Sequence, residues 1–200
     1  MFFNNFSNIF YNGFPPEMKK AVRAVTNLIP RVTYRNINIC VSKDETTYFL
    51  NNNADAIIVP HRIYFLEIED CIIENLNNLE KIVLHCIYSR SCDGYVREKH
   101  IKALLSIEFP EWAIPYIVKI CDEYVIEILR IVYEDLKEKN TDDIKRFCVN
   151  NWDCFCKSYN RMISYWNEFY RHDCYNFENY VGRKLFIECF GANRKMKCTK

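Results

Sequence analysis

The sequence predicts a mainly α-helical fold with a small N-terminal β element, and three observations lead to this fold class. Only 4 glycines occur in 200 residues, too few for the tight turns of an all-β protein. Apolar residues recur at helical spacing through most of the chain after residue 71. The chain is 50% apolar and 26% charged, which is ordinary globular composition and sufficient for a sizeable core.

The first predicted helix covers residues 15–29, "PPEMKKAVRAVTNLI". It opens on two prolines, which the first turn of a helix tolerates, and Pro30 ends it. Its apolar residues are spaced by four, three and four and so share one face: Met18, Val22, Val25 and Ile29.

A β element is predicted between residues 37 and 65. Ile37, Ile39 and Val41 alternate with polar residues, "SKDE" follows as a turn, and "TTYFL" resumes with β-forming residues, which is the pattern of a hairpin. "NNNAD" is predicted as a loop, and "AIIVPHRIYF" as a third strand with Pro60 at an edge. Because an isolated hairpin is marginally stable, we expect these strands to pack on a helix.

Helices are predicted through the rest of the chain, separated by short loops. A stripe of apolar residues from Leu76 to Ile87 marks one, and Thr141 is the predicted N-cap of another. The predicted helical ranges are 76–89, 94–107, 112–121, 123–138, 142–158, 159–171 and 177–190. We expect one folded unit, with residues 1–70 packed on a helical part at 71–190 and a basic tail at 191–200.

A short pattern recurs in "SCDGYVREKHIKALLSIEFPEWAIPYIVKICDEYVIEILRIV". Asp93 stands three residues before Val96, and Asp122 stands three residues before Val125. His100, Ala103 and Leu104 follow Val96 at the offsets at which Leu129, Val132 and Tyr133 follow Val125, so each set predicts one face of a helix that begins just after an aspartate. The echo therefore indicates a structural repeat of helix, turn and helix, about thirty residues long.

This stretch resembles a short HEAT-type repeat over residues 76–138. The matching residues are Asp93, Val96, Arg97, Ala103, Leu104, Ala113, Pro115, Asp122 and Val125. The resemblance implies a helical-repeat scaffold in which Arg97 of one unit pairs with Asp122 of the next. The sequence departs from the family pattern at Ile126 and at His100, and no unit is recognisable after residue 140. Two segments, "CIYSRSCDGYVREKHIKALL" and "RMISYWNEFYR", also resemble a group of uncharacterised bacterial proteins, which implies no activity.

Composition bounds the compartment and the partner. The 11 cysteines are odd in number, the chain is not small, and its opening lacks the basic region of a secretory signal. We therefore expect reduced core thiols and a cytoplasmic protein. No apolar run reaches the length of a membrane span, and the formal net charge of +1 provides no global attraction for nucleic acid.

The sequence offers little for catalysis or cofactor binding. His85, Cys86, Cys92 and His100 lie close in sequence but lack the spacing of a structural zinc site, so no metal is expected. Cys154 and Cys156 are interpreted as one buried and one less buried thiol rather than as a redox pair. Four scattered glycines cannot form a phosphate-binding loop, and no nucleophile elbow occurs. We predict no catalytic residue and no cofactor.

Two polar clusters are the candidate binding residues. The first comprises Arg90, Asp93, Arg97 and Glu98, interpreted either as an internal ion-pair ladder or as an exposed arginine pair that binds an acidic partner or phosphate. The second lies in "RMISYWNEFYRHDCYNFENY" and comprises Arg161, Tyr165 and Arg171. Trp166 and Tyr170 in the same segment are predicted to pack in the core.

Two classes of function remain open. The first is a non-catalytic protein-interaction or scaffolding module, whose aromatic and arginine side chains anchor a protein partner. The alternative is a nucleic-acid-acting, repair-like enzyme on a helical-repeat scaffold, in which aromatic rings stack on bases. The balance of Lys and Arg against Asp and Glu favours the protein partner.

Overall fold

The computed structural model of the chain describes residues 10–32, 40–50 and 55–193. Over these residues the predicted mainly helical fold is confirmed, together with a small antiparallel sheet. Residue contacts divide the chain into an N-terminal lobe, Met1–Tyr116, and a C-terminal lobe, Ile117–Lys200. The boundaries expected at residues 70 and 190 stay predictions.

The N-terminal lobe begins with a 3-10 turn, Pro16–Met18, that continues into α1, Lys19–Leu28. Val22, Val25 and Ile29 are buried, so the apolar face expected from their spacing is the face that packs. The later helices of this lobe are α2 (Asp70–Glu74), α3 (Asn78–Tyr88) and α4 (Gly94–Leu105). A 3-10 turn, Glu111–Ala113, leads into α5, Ile114–Ile120, which contains the division between the lobes.

The sheet pairs β1, Glu45–Leu50, with β2, Asp55–Pro60, antiparallel from Glu45 opposite Pro60 to Leu50 opposite Asp55. Within the described residues it has two strands rather than three. β2 ends at Pro60, but antiparallel hydrogen bonds continue beyond it, from His61 N to Asp44 O at 2.8 Å and from Tyr64 N to Cys40 O at 3.0 Å. The strand that was expected last, in "AIIVPHRIYF", is the one that pairs with "TTYFL". Ile37 and Ile39 of the expected first strand, and positions 51–54 of the expected loop, lie outside the described residues.

The core of the N-terminal lobe forms where α3 packs against α1 and α4. Asn77 and Glu80 form a capping box that starts α3, and the Asp93 side chain accepts from Tyr95 N at 2.9 Å to start α4. Tyr48 of β1 and Ile57 of β2 lie opposite each other in the sheet and are both buried.

The C-terminal lobe contains four α-helices after α5 and two short π-helical segments within the described residues. The helices are α6 (Ile126–Leu136), α7 (Asp142–Asn150), α8 (Trp152–Tyr165) and α9 (Val181–Lys184), and the π segments are Trp166–Tyr170 and Leu185–Cys189. α9 packs against α6 and α8, and α7 packs against α8. A 3-10 turn, Phe177–Asn179, precedes α9.

Three local expectations are corrected in the C-terminal lobe. The break expected near residue 158 lies at Asn151, whose side chain and backbone N–H both bond to Phe147 O at 3.0 Å. Thr141 occupies the N-cap position of α7, but its hydroxyl makes no capping bond, and Asn140 Oδ1 instead accepts from Asp142 N at 2.9 Å. α6 begins after Val125 without a side-chain cap, so Asp122 does not start it as Asp93 starts α4.

Candidate functional site

The candidate site is built on α8 and its continuation into the π segment Trp166–Tyr170. α8 is amphipathic, and its buried face includes Phe155, Cys156 and Met162. Arg161 and Tyr165 border this face, and Phe169 follows them one turn later with 53% of its surface exposed. Widening of a helix to π geometry is rare and occurs often at functional positions.

A buried carboxylate fixes the position of Arg161. Asp122 is 2% exposed, and its Oδ2 accepts from Lys119 Nζ at 3.0 Å and from Ser158 Oγ at 3.2 Å. Arg161 Nη1 reaches the same oxygen at 3.5 Å, and its side chain is 41% exposed. Lys119 is itself buried, so the carboxylate and the ammonium form a buried ion pair. The longest contact on this oxygen is the one with the half-exposed Arg161.

The other oxygen of this carboxylate makes no compensating bond. Oδ1 of Asp122 is buried and has no hydrogen-bond partner within residues 10–32, 40–50 and 55–193. Because an unpaired buried charge is costly, the three donors on Oδ2 carry the compensation. Ser158 and Arg161, on successive turns of α8, thus tie that helix to the segment that contains Asp122.

Three aromatic rings form a cluster beside Arg161. Tyr124 is 50% exposed, and its ring centroid lies 6.0 Å from Tyr165 in an edge-to-face arrangement. Phe169 lies 6.0 Å from Tyr124 and 6.1 Å from Tyr165. The Tyr170 hydroxyl donates to Tyr124 O and anchors the chain at that point. We name Tyr124, Tyr165 and Phe169 the aromatic surface.

Arg171 lies against a different set of rings. Its guanidinium is 6.0 Å from the Trp166 ring centroid and 5.9 Å from that of Tyr175, and Nη1 donates to Asn167 Oδ1 at 3.0 Å. Trp166 Nε1 donates to Cys174 O at 2.9 Å. Trp166 and Tyr170, which were expected in the core, are half-buried rather than fully buried.

The first cluster of candidate residues occupies the start of α4. Arg90 is 0% exposed and donates from Nε to Pro60 O at 3.2 Å and from Nη2 to His61 O at 2.7 Å. Arg97 is also buried and donates from Nη1 to Ser91 O at 2.8 Å and to Cys92 O at 3.2 Å. Both guanidinium groups therefore hold backbone segments of the N-terminal lobe together, rather than forming an exposed pair.

The acidic members of that cluster lie apart from this role. Asp93 caps α4, and Glu98 lies half-buried on the same helix. The pairing of Arg97 with Asp122 would join the two lobes, and it stays a prediction.

The N-terminal lobe contains a second polar arrangement, a buried pair of histidines. His85 Nδ1 and His100 Nδ1 are 2.8 Å apart, and His100 Nε2 is 3.0 Å from Glu67 Oε1. Lys99 Nζ lies 2.6 Å from the same carboxylate oxygen and 2.6 Å from Asp70 Oδ1. The Tyr88 ring stacks on His100 with centroids 4.9 Å apart.

The geometry assigns the protons of this pair. A carboxylate only accepts, so His100 Nε2 donates to Glu67 and His100 Nδ1 is left as an acceptor. His85 Nδ1 must then donate to His100, which leaves His85 Nε2 unprotonated. Burial lowers the pKa of His85 to about 4 and that of His100 to about 3, so both rings are neutral near pH 7.

Burial works against thiol chemistry in both lobes. It raises the pKa of the Cys154 thiol on α8, and it raises the pKa values of Cys86 and Cys121 well above the usual range. Of the four residues considered for zinc, the structure joins His85 and His100, through a hydrogen bond. Among the described residues no group of three or more His, Cys, Asp or Glu is placed to hold a metal ion.

Sequence reasoning identified Arg161 and Tyr165 and missed Tyr124, Asp122 and Ser158 as their partners. Tyr124 lies 41 positions before Tyr165 in sequence, and no local pattern signals such a contact. In the described ranges, no helix is long and apolar enough to cross a bilayer. No family model, curated protein or solved structure matches the chain.

Proposed function

We propose that this protein is a non-catalytic protein-interaction module that binds its partner through the aromatic surface and Arg161. The observation that carries the proposal is the exposure of two large rings, Tyr124 and Phe169, packed around Tyr165 on one side of the C-terminal lobe. Tyrosine and arginine are enriched among the residues that dominate binding energy at protein interfaces.

The support beneath the surface makes it suited to binding. Tyr170 holds the backbone at Tyr124, and Asp122 and Ser158 hold the neighbouring turn against α8. Rings that are already positioned lose little conformational entropy when a partner docks.

A HEAT-type scaffold over residues 76–138 belongs to the same proposal. Its support is the succession of α3, α4, α5 and α6 at positions close to those expected, with Asp93 capping α4. The departure at Asp122, which binds side chains instead of capping α6, limits the likeness between the two units.

The experiment that tests the proposal is site-specific photocrosslinking in native lysate. A photoreactive phenylalanine analogue replaces Phe169 in one variant and Tyr95 in a matched control, because Tyr95 is 84% exposed but lies in the N-terminal lobe. We expect light-dependent, nuclease-resistant protein adducts from position 169 and few from position 95.

Each other outcome is informative. Equal adducts from both positions, or none from position 169, would refute the aromatic surface as the binding site. Adducts that nuclease removes would instead support the nucleic-acid alternative, in which the rings stack on bases.

A further inference from the structure

We infer that the partner of the aromatic surface is a second copy of this chain, docked antiparallel along α8 so that Arg161 of each copy pairs with Glu168 of the other. This inference rests on the proposed function and names its partner.

The surface carries both signs of charge. Besides Arg161 and Arg171, the exposed side chains of this segment include Lys157, Glu168 and Asp173. A strongly acidic or basic partner is favoured by a surface of one dominant sign, and this surface has none. With a net charge of +1, two copies also approach each other without appreciable long-range repulsion.

Glu168 is available for such a pair. It is exposed, and in the part of the chain that the structure describes it forms no salt bridge. Arg161 contacts Asp122 at 3.5 Å, the longest of the three contacts on that oxygen. When Arg161 turns to a carboxylate outside the chain, Lys119 and Ser158 still compensate Asp122, so the exchange leaves no buried charge unpaired.

The spacing is self-complementary. Arg161 and Tyr165 lie one turn apart on α8, and the exposed Glu168 follows three residues after Tyr165 in the π segment Trp166–Tyr170 that continues the helix. Along the sequence, Arg161 and Glu168 are equally far from the midpoint between Ser164 and Tyr165. A twofold axis at that midpoint sets each arginine against the partner copy's glutamate, and the contact is made twice.

The residues at the axis suit close approach. Ser164 is small and exposed, and its hydroxyl already donates to Asn160 O at 3.0 Å. Burying it in an interface therefore leaves its hydroxyl hydrogen-bonded. Tyr165 and Phe169 next to it supply apolar area. An interface made by one helix and one turn is small, so we expect dissociation constants in the micromolar range, on the order of 1–100 μM.

The test measures association by sedimentation velocity for four proteins: the wild type, Arg161→Glu, Glu168→Arg and the double variant Arg161→Glu/Glu168→Arg. We expect the wild type to shift from the 24.1 kDa monomer toward a dimer of twice that mass as its concentration rises. Each single variant sets two like charges against each other twice and should weaken the dimer about tenfold or more. The double variant restores opposite charges and should recover wild-type affinity to within about threefold.

Folding is controlled separately, because Arg161→Glu adds a negative charge near Asp122. Glu168→Arg alters an exposed residue with no described ion pair, and circular dichroism checks that each variant is folded. If Arg161→Glu fails to fold, two variants of Glu168 decide the outcome. Glu168→Arg should weaken the dimer, and the conservative Glu168→Asp should leave its affinity close to that of the wild type.

The outcomes separate this inference from the proposed function. A wild type that stays monomeric, or a folded double variant that does not recover, overturns the homodimer. If the monomer nevertheless yields protein adducts from position 169 in lysate, the interaction module stands with a different partner. If neither dimer nor adduct forms, both fail.

Discussion

The two lobes use the same kinds of side chain in opposite ways. In the N-terminal lobe Arg90 and Arg97 are buried and donate to backbone carbonyls, and the histidine pair is enclosed. In the C-terminal lobe Arg161 and Arg171 reach solvent beside exposed rings. Arginine and aromatic content is therefore a poor guide to function by itself. What distinguishes a binding residue is whether the fold has already used its polar atoms.

The largest expected effect on stability comes from removing a buried arginine of the N-terminal lobe. Arg90→Met removes the donors to Pro60 O and His61 O in a buried place, and we expect a loss of about 3–5 kcal/mol in the free energy of unfolding. Arg171→Met, on the exposed side, should change it by less than about 0.5 kcal/mol. Urea denaturation measures both, and equal losses would contradict the division of roles.

The pH dependence of stability probes the enclosed histidines. Their pKa values in the folded protein, about 4 and about 3, lie below the ordinary value of 6.5, so the unfolded chain binds protons that the folded chain does not. Their contribution is fully present above pH 6.5 and is lost as the pH falls toward 4. We expect each histidine to account for about 2 kcal/mol of destabilisation at pH 5 relative to pH 7.5.

His85→Gln provides the matching measurement. The nearby charged groups are Lys81, Lys99, Glu67 and Asp70, and they remain in the variant. Denaturation at pH 7.5 and pH 5 should show a smaller loss for the variant than for the wild type. An identical loss in both would mean that the acid sensitivity arises elsewhere.

Ser158→Ala sharpens the comparison in the C-terminal lobe. It removes one of three donors to the buried Asp122 carboxylate, and we expect a loss of about 1.5–2 kcal/mol in the free energy of unfolding. Ser164→Ala is the matched control, because that hydroxyl is exposed and bonds within its own helix. A loss no larger than that of the control would show that Lys119 and Arg161 suffice.

The smallest expected effect on stability is the most useful for function. Phe169→Ala truncates a half-exposed ring that contacts Tyr124 and Tyr165 and should lower the free energy of unfolding by about 1 kcal/mol, whereas Tyr95→Ala should change it by less than about 0.5 kcal/mol. Of the two, we expect only Phe169→Ala to reduce partner adducts or dimer affinity. Reduction by both would assign binding to general exposed aromatic content.

Local chemistry explains which parts of the fold could be predicted. The spacing of Val22, Val25 and Ile29 predicted the buried face of α1, and Asp93 predicted the start of α4. Three strands were expected where the described residues show two, and the pairing of the strands was left open, because alternation of residue types does not encode which strands meet. The break at Asn151 was missed because its bonds to Phe147 carry no proline or glycine signal.

The candidate site was predictable only on one side. Arg161 and Tyr165 stand out in an aromatic, arginine-bearing segment, so the helix could be chosen from sequence. Asp122 and Tyr124 were interpreted as parts of a repeat, because the echo of Asp93 suggested a cap. Their contacts with Ser158 and Tyr165 depend on tertiary packing across more than thirty residues, which no local pattern reports.

Two hydrogen bonds in a row link His85 to His100 and His100 to Glu67, and both donate in the same direction. Every donor in this row points toward Glu67, which stands at the rim of the lobe with part of its side chain in solvent. Glu67→Gln would present an amide that can donate as well as accept, and the row could then reverse, placing the proton of His85 on the opposite ring nitrogen. The substitution of one residue at the rim would thus change the tautomer of a histidine buried inside the lobe, without changing the fold.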